Sequence, residues 1–265
     1  MLQSDFSPRI FEMLAYSPLT YMLRAMVAGT APAVCYADRK DEPRVCLVHE
    51  GHSLFVGGDA LSPAADEAMD YLAHSLLTQE LRRELHVMKI AFPDDMWKEK
   101  LKRTLSGAAL NEYMRSVYIN RAPYKAAPCE VPEIEAITLD TAKLINFAMI
   151  RDEVESTLGS FDKFLKEAFG YALVVEGCVC GFCTSEYLSA GECAIGIEVL
   201  PEYQRKGYAS RMTACLLGDC AARGLTPYWE CWKYNMPSYK TAERSGFEKI
   251  MDYPVLFVEF GKDGA

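Results

Sequence analysis

Hydrophobic residues follow a helical spacing in some stretches of the chain and an alternating spacing in others. Between residues 59 and 85, for example, Met69, Leu72, Leu76 and Leu77 fall on one side of a helix. In the first half, such patterns predict helices over residues 6–27, 59–85 and 94–105, and strands over residues 33–37, 44–49, 53–56 and 86–92. Residues 122–132 contain three prolines and are the best candidate for a domain boundary.

The second half alternates strand and helix patterns more regularly. It predicts strands over residues 133–139, 171–179, 181–188, 193–199, 227–232 and 249–260, and helices over residues 141–157, 161–169, 208–223 and 237–245. We therefore expect an α/β (α+β) protein with two domains. Residues 1–125 would form a smaller accessory N-terminal α/β domain, and residues 126–265 a domain with a mixed central sheet flanked by helices.

The junction between the strand that ends at Val199 and the helix that starts near Tyr208 is the most informative segment. The first backbone N–H groups of a helix have no partner within it, and the helix dipole adds positive charge there. This arrangement suits a phosphate group. Arg205 and Lys206 add side-chain charge, and Gly207 lets a ligand approach the backbone closely.

Two motifs in this half resemble signatures of the GNAT superfamily of acyl-CoA-dependent N-acyltransferases. The first is Gln204-x-x-Gly207-x-Ala209, and the second runs from Asn235-x-x-Ser238 to Gly246-Phe247. The resemblance covers roughly residues 129–260 and does not reach the first half. It implies a GNAT-type mixed sheet, acetyl-CoA as co-substrate and an acetyl group moved to a primary amine of a small molecule.

The resemblance also implies which residues bind acetyl-CoA. The pantetheine arm would pair with the exposed backbone edge of the fourth strand, and a backbone N–H there would polarise the thioester carbonyl. The implied cofactor-binding residues are Ile197, Val199, Leu200, Gln204, Arg205, Lys206, Gly207, Tyr208, Ala209, Ser210, Asn235 and Ser238.

Acyl transfer to an ammonium group needs a base, and the fourth strand offers one. Ala194, Gly196 and Glu198 share a face on which two small residues leave room for a ligand before a carboxylate. We expect Glu198 to take the proton of the ammonium group, directly or through a water molecule. A solvent-facing carboxylate without a role is the alternative.

The departing thiolate raises a second question, because Ala242 stands where many family members carry a tyrosine acid. An alanine cannot donate a proton. Tyr239, Tyr234 and Cys231 are possible substitutes, and spacing does not choose among them. We take Tyr239 as the first candidate because it lies three residues before Ala242 on the same helix. A thiolate can also leave without a side-chain acid.

Charge and aromatic residues bear on the acceptor. The net charge is −9, with 15 basic and 16 acidic residues up to position 125 and 13 and 21 after it. The acidic second half disfavours a nucleic-acid partner and favours a cationic one. Aromatic residues around the fifth strand, with Glu198 and Glu230, would either frame an amine or pack the core: Tyr228, Trp229, Trp232 and Tyr234.

The remaining expectations concern metals, location and alternatives. Cys178, Cys180 and Cys183 lack a second ligand pair and fall in a hairpin, and His49 and His52 flank a turn, so no metal site is expected. Without a membrane-spanning run or signal-peptide pattern, a cytoplasmic protein without a membrane partner is expected, as a monomer or a homodimer. A non-catalytic acyl-CoA-binding protein and a tRNA-dependent aminoacyl transferase remain alternatives.

Overall fold

The structure is a computed structural model that describes residues 1–78, 81–82, 85–121 and 131–260. Ten elements with defined bounds lie in the first half: β1 (Leu2–Ser4), α1 (Pro8–Leu14), α2 (Thr20–Val27), β2 (Val34–Ala37), β3 (Val45–Glu50), β4 (Ser53–Gly58), α3 (Pro63–Tyr71), β5 (Val87–Ala91), α4 (Asp95–Thr104) and β6 (Ala109–Ile119). The second half contains ten more: β7 (Ile134–Ala136), α5 (Ala148–Leu158), α6 (Phe161–Glu167), β8 (Gly170–Val175), β9 (Cys178–Ser189), β10 (Glu192–Val199), α7 (Tyr208–Arg223), β11 (Thr226–Trp232), α8 (Met236–Arg244) and β12 (Glu248–Glu259).

The two halves repeat one order of elements. Each runs strand, helix, helix, three strands, helix, strand, helix, strand in the described residues. The strand order is also repeated, since β1-β2-β3-β4-β5 and β7-β8-β9-β10-β11 each follow the sequence. In both, the first four strands pair antiparallel and the last pair, β4 with β5 or β10 with β11, is parallel. This repeat argues against an unrelated accessory domain in the first half.

The chain divides into two compact units, and one of them consists of two separate segments of the chain. One unit contains Met1–Arg115 and the segment from Tyr253, and the other contains Ser116–Asp252. Each unit includes the end of a strand from the other half of the chain. The end of β12 pairs with β5 in the first unit, from Leu256 opposite Ile90 to Glu259 opposite Val87. The end of β6 lies beside β11 in the second, where the Asn120 N–H donates to the Pro227 carbonyl at 3.0 Å.

The predicted domain boundary at 125/126 lies within residues 122–130, outside the described residues. A cut there would separate β6 from β11 and β12 from β5, so the contact-based division differs from the predicted one. The long strand β6 was not predicted, because its first half is mostly exposed and its second half is buried on both faces. Such a strand shows no alternation of hydrophobic and polar residues.

The predicted helix over residues 59–85 starts later in the structure, and residues 79–80 and 83–84 of it lie outside the described residues. It begins at Pro63, with Ser62 as its N-cap, and widens into a π-helical turn at Leu72–Leu76, where the Leu77 N–H donates to the Leu72 carbonyl. The predicted helix over residues 6–27 is two helices, α1 and α2. The predicted apolar face is confirmed, since Met69, Leu72, Leu76 and Leu77 are all buried.

Helix α7 has the bounds that the sequence predicted, 208 to 223, because a glycine in the left-handed conformation stands at each end. Its buried residues include Met212, Leu216 and Cys220, the apolar positions expected from the helical spacing. They pack against Trp229, Cys231 and Ala242 in the core of the second unit. This packing fixes the start of α7 beside the end of β10.

Candidate acyl-CoA site

The loop between β10 and α7 of the second unit leaves the start of a helix uncapped, as an anion site requires. After β10 the chain makes a 3-10 turn at Pro201–Tyr203 and enters the helix through Gly207, whose φ is +83°. Among the described residues, no side chain caps the start of α7. The first N–H groups of this helix therefore face outward, where the positive end of the helix dipole reinforces them.

The side chains of the loop add charge and order. Arg205 adopts a left-handed conformation with φ +59°, and both it and Lys206 are exposed. The Lys206 ammonium lies 4.9 Å from the centre of the Tyr203 ring. A hydrogen bond with the Cys180 side chain raises the pKa of Tyr203 to about 12, so the phenol stays neutral near pH 7.

Gln204 ties this loop to the strand before it. Its side-chain amide donates to the Val199 carbonyl at 2.8 Å. The predicted contact of Gln204 with acetyl-CoA therefore competes with an internal hydrogen bond. Its effect on the ligand would come through the loop that it holds in place.

Strands β10 and β11 pair only at their beginnings. The parallel pairs join Glu192–Ala194 to Thr226–Tyr228, whereas β10 continues to Val199 and β11 to Trp232 without further pairs in this fully described region. The strands thus separate beyond Ala194 and Tyr228. This gap leaves backbone groups on one edge of β10 that an extended ligand can pair with.

The direction of these backbone groups follows from the ladder with β9. The Leu200 N–H donates to the Cys180 carbonyl at 2.9 Å, continuing the register in which Val199 lies opposite Gly181. Because the direction alternates along a strand, Ile197 and Val199 present their backbone groups on the opposite edge, toward the gap, where the Val199 carbonyl already accepts from Gln204. Leu200 does not, since its carbonyl also accepts from the Tyr203 N–H. Both backbone groups of Leu200 are therefore used within the chain, and the cofactor contacts predicted for Ile197, Val199 and Leu200 stay predictions.

The second motif has internal contacts in the structure. The Asn235 side chain caps α8 by accepting from the Ser238 N–H at 3.3 Å. The Ser238 hydroxyl accepts from the indole N–H of Trp229 at 3.0 Å. Asn235 thus caps α8 and Ser238 joins it to β11, and their predicted contact with acetyl-CoA stays a prediction.

Ala242 lies in the core rather than at the edge of the cleft. It has no exposed surface and belongs to the cluster that contains Trp229 and Phe247, whose rings meet edge to face at 5.5 Å. Tyr239 packs partly buried against the same cluster. The space that a tyrosine ring at position 242 would need is therefore filled by the core.

The face of β10 expected to take a ligand holds one residue that the sequence did not indicate. Glu198 is exposed on this face, as predicted. Gly196, however, does not leave empty space, because a Cβ there would overlap the Glu186 carboxylate. Glu186 lies on β9 opposite Ala194 and is only 8% exposed. A charged residue inside the apolar strand β9 was the available signal, but its position over Gly196 depends on the register.

The aromatic residues near β11 divide between the two faces of the sheet. Tyr228 and Trp232 share the face of Glu230, because residues two apart on a strand point the same way. The Tyr228 hydroxyl donates to Glu192 at 3.1 Å. Trp229 points into the opposite core and is excluded from an amine-binding cage, and Tyr234 is 77% exposed after the end of the strand.

In the first unit, the start of the corresponding helix is occupied by side-chain caps. Helix α3 corresponds to α7, because each helix follows the first strand of a parallel pair, β4 before α3 and β10 before α7. Its start is capped by Ser62, whose hydroxyl accepts from the Ala64 N–H, and the Asp59 carboxylate accepts from the Leu61 N–H at 2.9 Å. Asp66 adds negative charge to the first turn. These groups use or oppose what a phosphate would need.

The cysteines and histidines that were weighed as metal ligands lie in a hairpin and a turn. Cys178, Cys180 and Cys183 lie on β9, the second strand of a hairpin. His49 lies near the end of β3, and His52 lies in the tight turn between β3 and β4. In the part of the chain that the structure describes, no group of three or more His, Cys, Asp or Glu side chains is arranged to hold a metal ion. Among the same residues, no helix is both long and apolar enough to cross a membrane.

Comparison with known proteins decides the family. The model of the GNAT acetyltransferase family matches residues 12–256. The chain belongs to the GNAT acetyltransferase family. The match includes the first half, which corrects the prediction that the resemblance stops before it. The repeat of elements in the first unit is thus part of the family's architecture and not an addition to it.

Similar proteins cover nearly the whole chain. An uncharacterized N-acetyltransferase of Bacillus subtilis (strain 168), YdfB, is 22% identical over 231 residues and 86% of each chain. A GCN5-related N-acetyltransferase-like protein from Streptococcus suis 89/1591 shares the fold with a TM-score of 0.72, at 18% identity over 95% of this chain and 97% of that one. A tandem GNAT protein from the clavulanic acid biosynthesis pathway has a TM-score of 0.53, at 11% identity over 96% and 94%.

Proposed function

We propose that this GNAT protein transfers an acetyl group from acetyl-CoA to a primary amine of a small molecule. The observation that carries the proposal is the uncapped start of α7 at Gly207, placed beside the gap between β10 and β11. A phosphate site next to an unpaired strand edge suits a ligand that has a pyrophosphate and an extended arm. Acetyl-CoA has both.

Binding would use backbone groups more than side chains. The N–H groups from Gly207 to Ser210, with Arg205 and Lys206, would hold the pyrophosphate. The backbone of Ile197 and Val199 would pair with the pantetheine arm along the gap. An N–H on this edge would also polarise the thioester carbonyl, which strengthens as negative charge develops on the oxygen.

The reaction requires two proton movements. Glu198 would accept a proton from the bound ammonium group, directly or through water, and the freed nitrogen lone pair forms a bond with the acetyl carbon. The carbon–sulfur bond breaks and the sulfur leaves with its electron pair. The nitrogen gives up a second proton, and the sulfur takes up one to become the thiol. Tyr239 is the residue that we assign to deliver that proton, because it lies three residues before Ala242 on α8 and an alanine cannot donate one.

We infer that each chain has one such site. Only the second unit combines a helix start without a side-chain cap and a left-handed glycine among the described residues. At α3 the Ser62 hydroxyl accepts from the Ala64 N–H, and just before the helix Asp59 accepts from the Leu61 N–H. The first unit would support the fold through the end of β12, which pairs with β5.

A second candidate function is acyl-CoA binding without catalysis. The observation that favours it is that an alanine, fully buried, stands at position 242 in place of the tyrosine donor that the resemblance implies. A screen of purified protein with acetyl-CoA and a set of primary amines, read by release of the CoA thiol, separates the two. Amine-dependent release supports transfer. Tight acetyl-CoA binding without release for any amine supports the second candidate.

A further inference from the structure

Glu186 is a buried carboxylate whose place is built into the sheet. It lies on β9 opposite Ala194, and its neighbour on the same face, Thr184, lies opposite Gly196. The Thr184 hydroxyl donates to Glu186 Oε1 at 3.4 Å. Any side chain at position 196 would overlap this carboxylate, so Gly196 is needed for Glu186 to hold its position. The register of β9 and β10 thus places this carboxylate over the backbone of β10 at Gly196.

The position of Glu186 relative to the cleft gives it a use. Ala194, the residue directly opposite, is also the last residue of β10 that pairs with β11. The carboxylate therefore lies where the two strands begin to separate, on the face of β10 that also carries Glu198. The acyl-CoA loop is at the far end of the same strand. A thioester held along the gap would have its pyrophosphate at Gly207 and its acetyl end toward Ala194.

We propose that Glu186 binds the ammonium group of the acceptor and so selects cationic primary amines over neutral molecules of the same shape. The inference rests on the proposed function. Binding at Glu186 holds the nitrogen at the opening of the gap, while Glu198, exposed nearer to the acyl-CoA loop, receives the proton. Acetylation removes the positive charge, and the neutral amide product then loses its attraction to Glu186 and leaves.

A purely structural role would give a different set of results. If Glu186 only braced β9 through Thr184, its replacement would lower stability and reduce kcat for every acceptor alike. A role in amine binding instead raises KM for the amine, leaves acetyl-CoA affinity unchanged and removes the preference for a charged ligand. The two roles are therefore separated by a ratio of binding constants, which is independent of the amount of folded protein.

The test uses the primary amine with the highest turnover in a screen of the wild-type chain, and the alcohol in which a hydroxyl replaces its amino group. Glu186→Gln should raise KM for the amine roughly tenfold or more, since a hydrogen bond to a charged group is lost. The inhibition constants Ki are measured by competition. The fully methylated amine, a quaternary ammonium that cannot be acetylated, should inhibit the wild type far better than the alcohol. In Glu186→Gln the two should inhibit within about threefold of each other.

Two further variants serve as controls. Gly196→Ala keeps the carboxylate but displaces it, and it should raise KM for the amine in the same direction. Glu50→Gln removes a carboxylate that is 3% exposed in the first unit, and it should leave KM for the amine unchanged. An unchanged KM and an unchanged amine-to-alcohol ratio in folded Glu186→Gln overturn the proposal. Absence of thiol release by the wild type with every amine would instead overturn the proposed function, and this proposal with it.

Discussion

Gly207 and Gly224 stand at the two ends of α7 in the same left-handed conformation, with φ values of +83° and +65°. Neither position has another atom of the described chain within 4 Å of a Cβ that a substitution would add. The two glycines thus impose the same backbone requirement, but only Gly207 faces the anion site. This pairing separates the conformational role of a glycine from its role in binding.

Gly207→Ala should weaken acetyl-CoA binding by at least about tenfold, about 1.4 kcal/mol, because the new Cβ points into the space needed by the pyrophosphate. Gly224→Ala imposes a similar strain, about 1–2 kcal/mol, at the other end of the helix and should leave the affinity unchanged. Calorimetric titration of both variants measures the difference. Equal affinities in two folded variants would remove the pyrophosphate from the start of α7.

Glu198→Gln should lower turnover by roughly 10²-fold or more, since it keeps the shape of the side chain and removes the base. The affinity for acetyl-CoA should stay within about twofold. Glu135→Gln is the matched control, an exposed carboxylate on β7, three strands away from β10 in the same sheet. Turnover of Glu198→Gln that equals the control at neutral pH would show that another group takes the proton.

Tyr239→Phe removes one hydroxyl and should lower kcat without changing acetyl-CoA affinity, because the phenol is assigned to the departing sulfur. Steady-state kinetics with a well-used amine measures this. Full activity would mean that the thiolate leaves unassisted or that Cys231 or Tyr234 protonates it.

Ala242→Tyr is a useful comparison for this variant. The site is fully buried beside Trp229 and Phe247, so the larger ring should destabilise the fold by about 1–3 kcal/mol or more and should not restore a donor. A lowered melting temperature is the expected reading. A stable Ala242→Tyr variant with raised turnover would show that the core opens toward the cleft.

A fragment of residues 129–265 should fail to fold, although it retains both motifs. It lacks β6 and the residue after it, Asn120. Asn120 donates to the Pro227 and Ser245 carbonyls, each at 3.0 Å, and the Ser116 hydroxyl of β6 donates to Asp252 at 2.6 Å. Without that strand the edge of β11 is exposed. Circular dichroism during thermal unfolding should show no cooperative transition. A cooperative transition together with acetyl-CoA binding would contradict this.

The sequence predicted the helix α7 and its loop because the signals there are local. Gly207 and Gly224 mark the ends of the helix, and the apolar positions between them have helical spacing. The hairpin between β8 and β9, with its turn at Glu176 and Gly177, was predicted for the same reason. Local patterns of this kind need no knowledge of which strand lies beside which.

Features that depend on pairing between distant segments could not be predicted in this way. The exchange of β6 and β12 between the units is set by partners more than 100 residues away, as in the bond between Ser116 and Asp252, which are 136 residues apart. Glu186 was missed because only the register shows that its carboxylate lies over Gly196. The repeat in the first half was hidden because Ser62 and Asp59 replace the glycine-containing loop that marks the second.

Titration of the wild-type chain with acetyl-CoA tests the central claim most directly, which is that one acyl-CoA site exists per chain, at the start of α7. Calorimetry should give a stoichiometry of about one, with binding weakened by Gly207→Ala and unaffected by Ser62→Ala at the start of α3. No binding, or a stoichiometry of about two with a share lost in Ser62→Ala, would contradict the account.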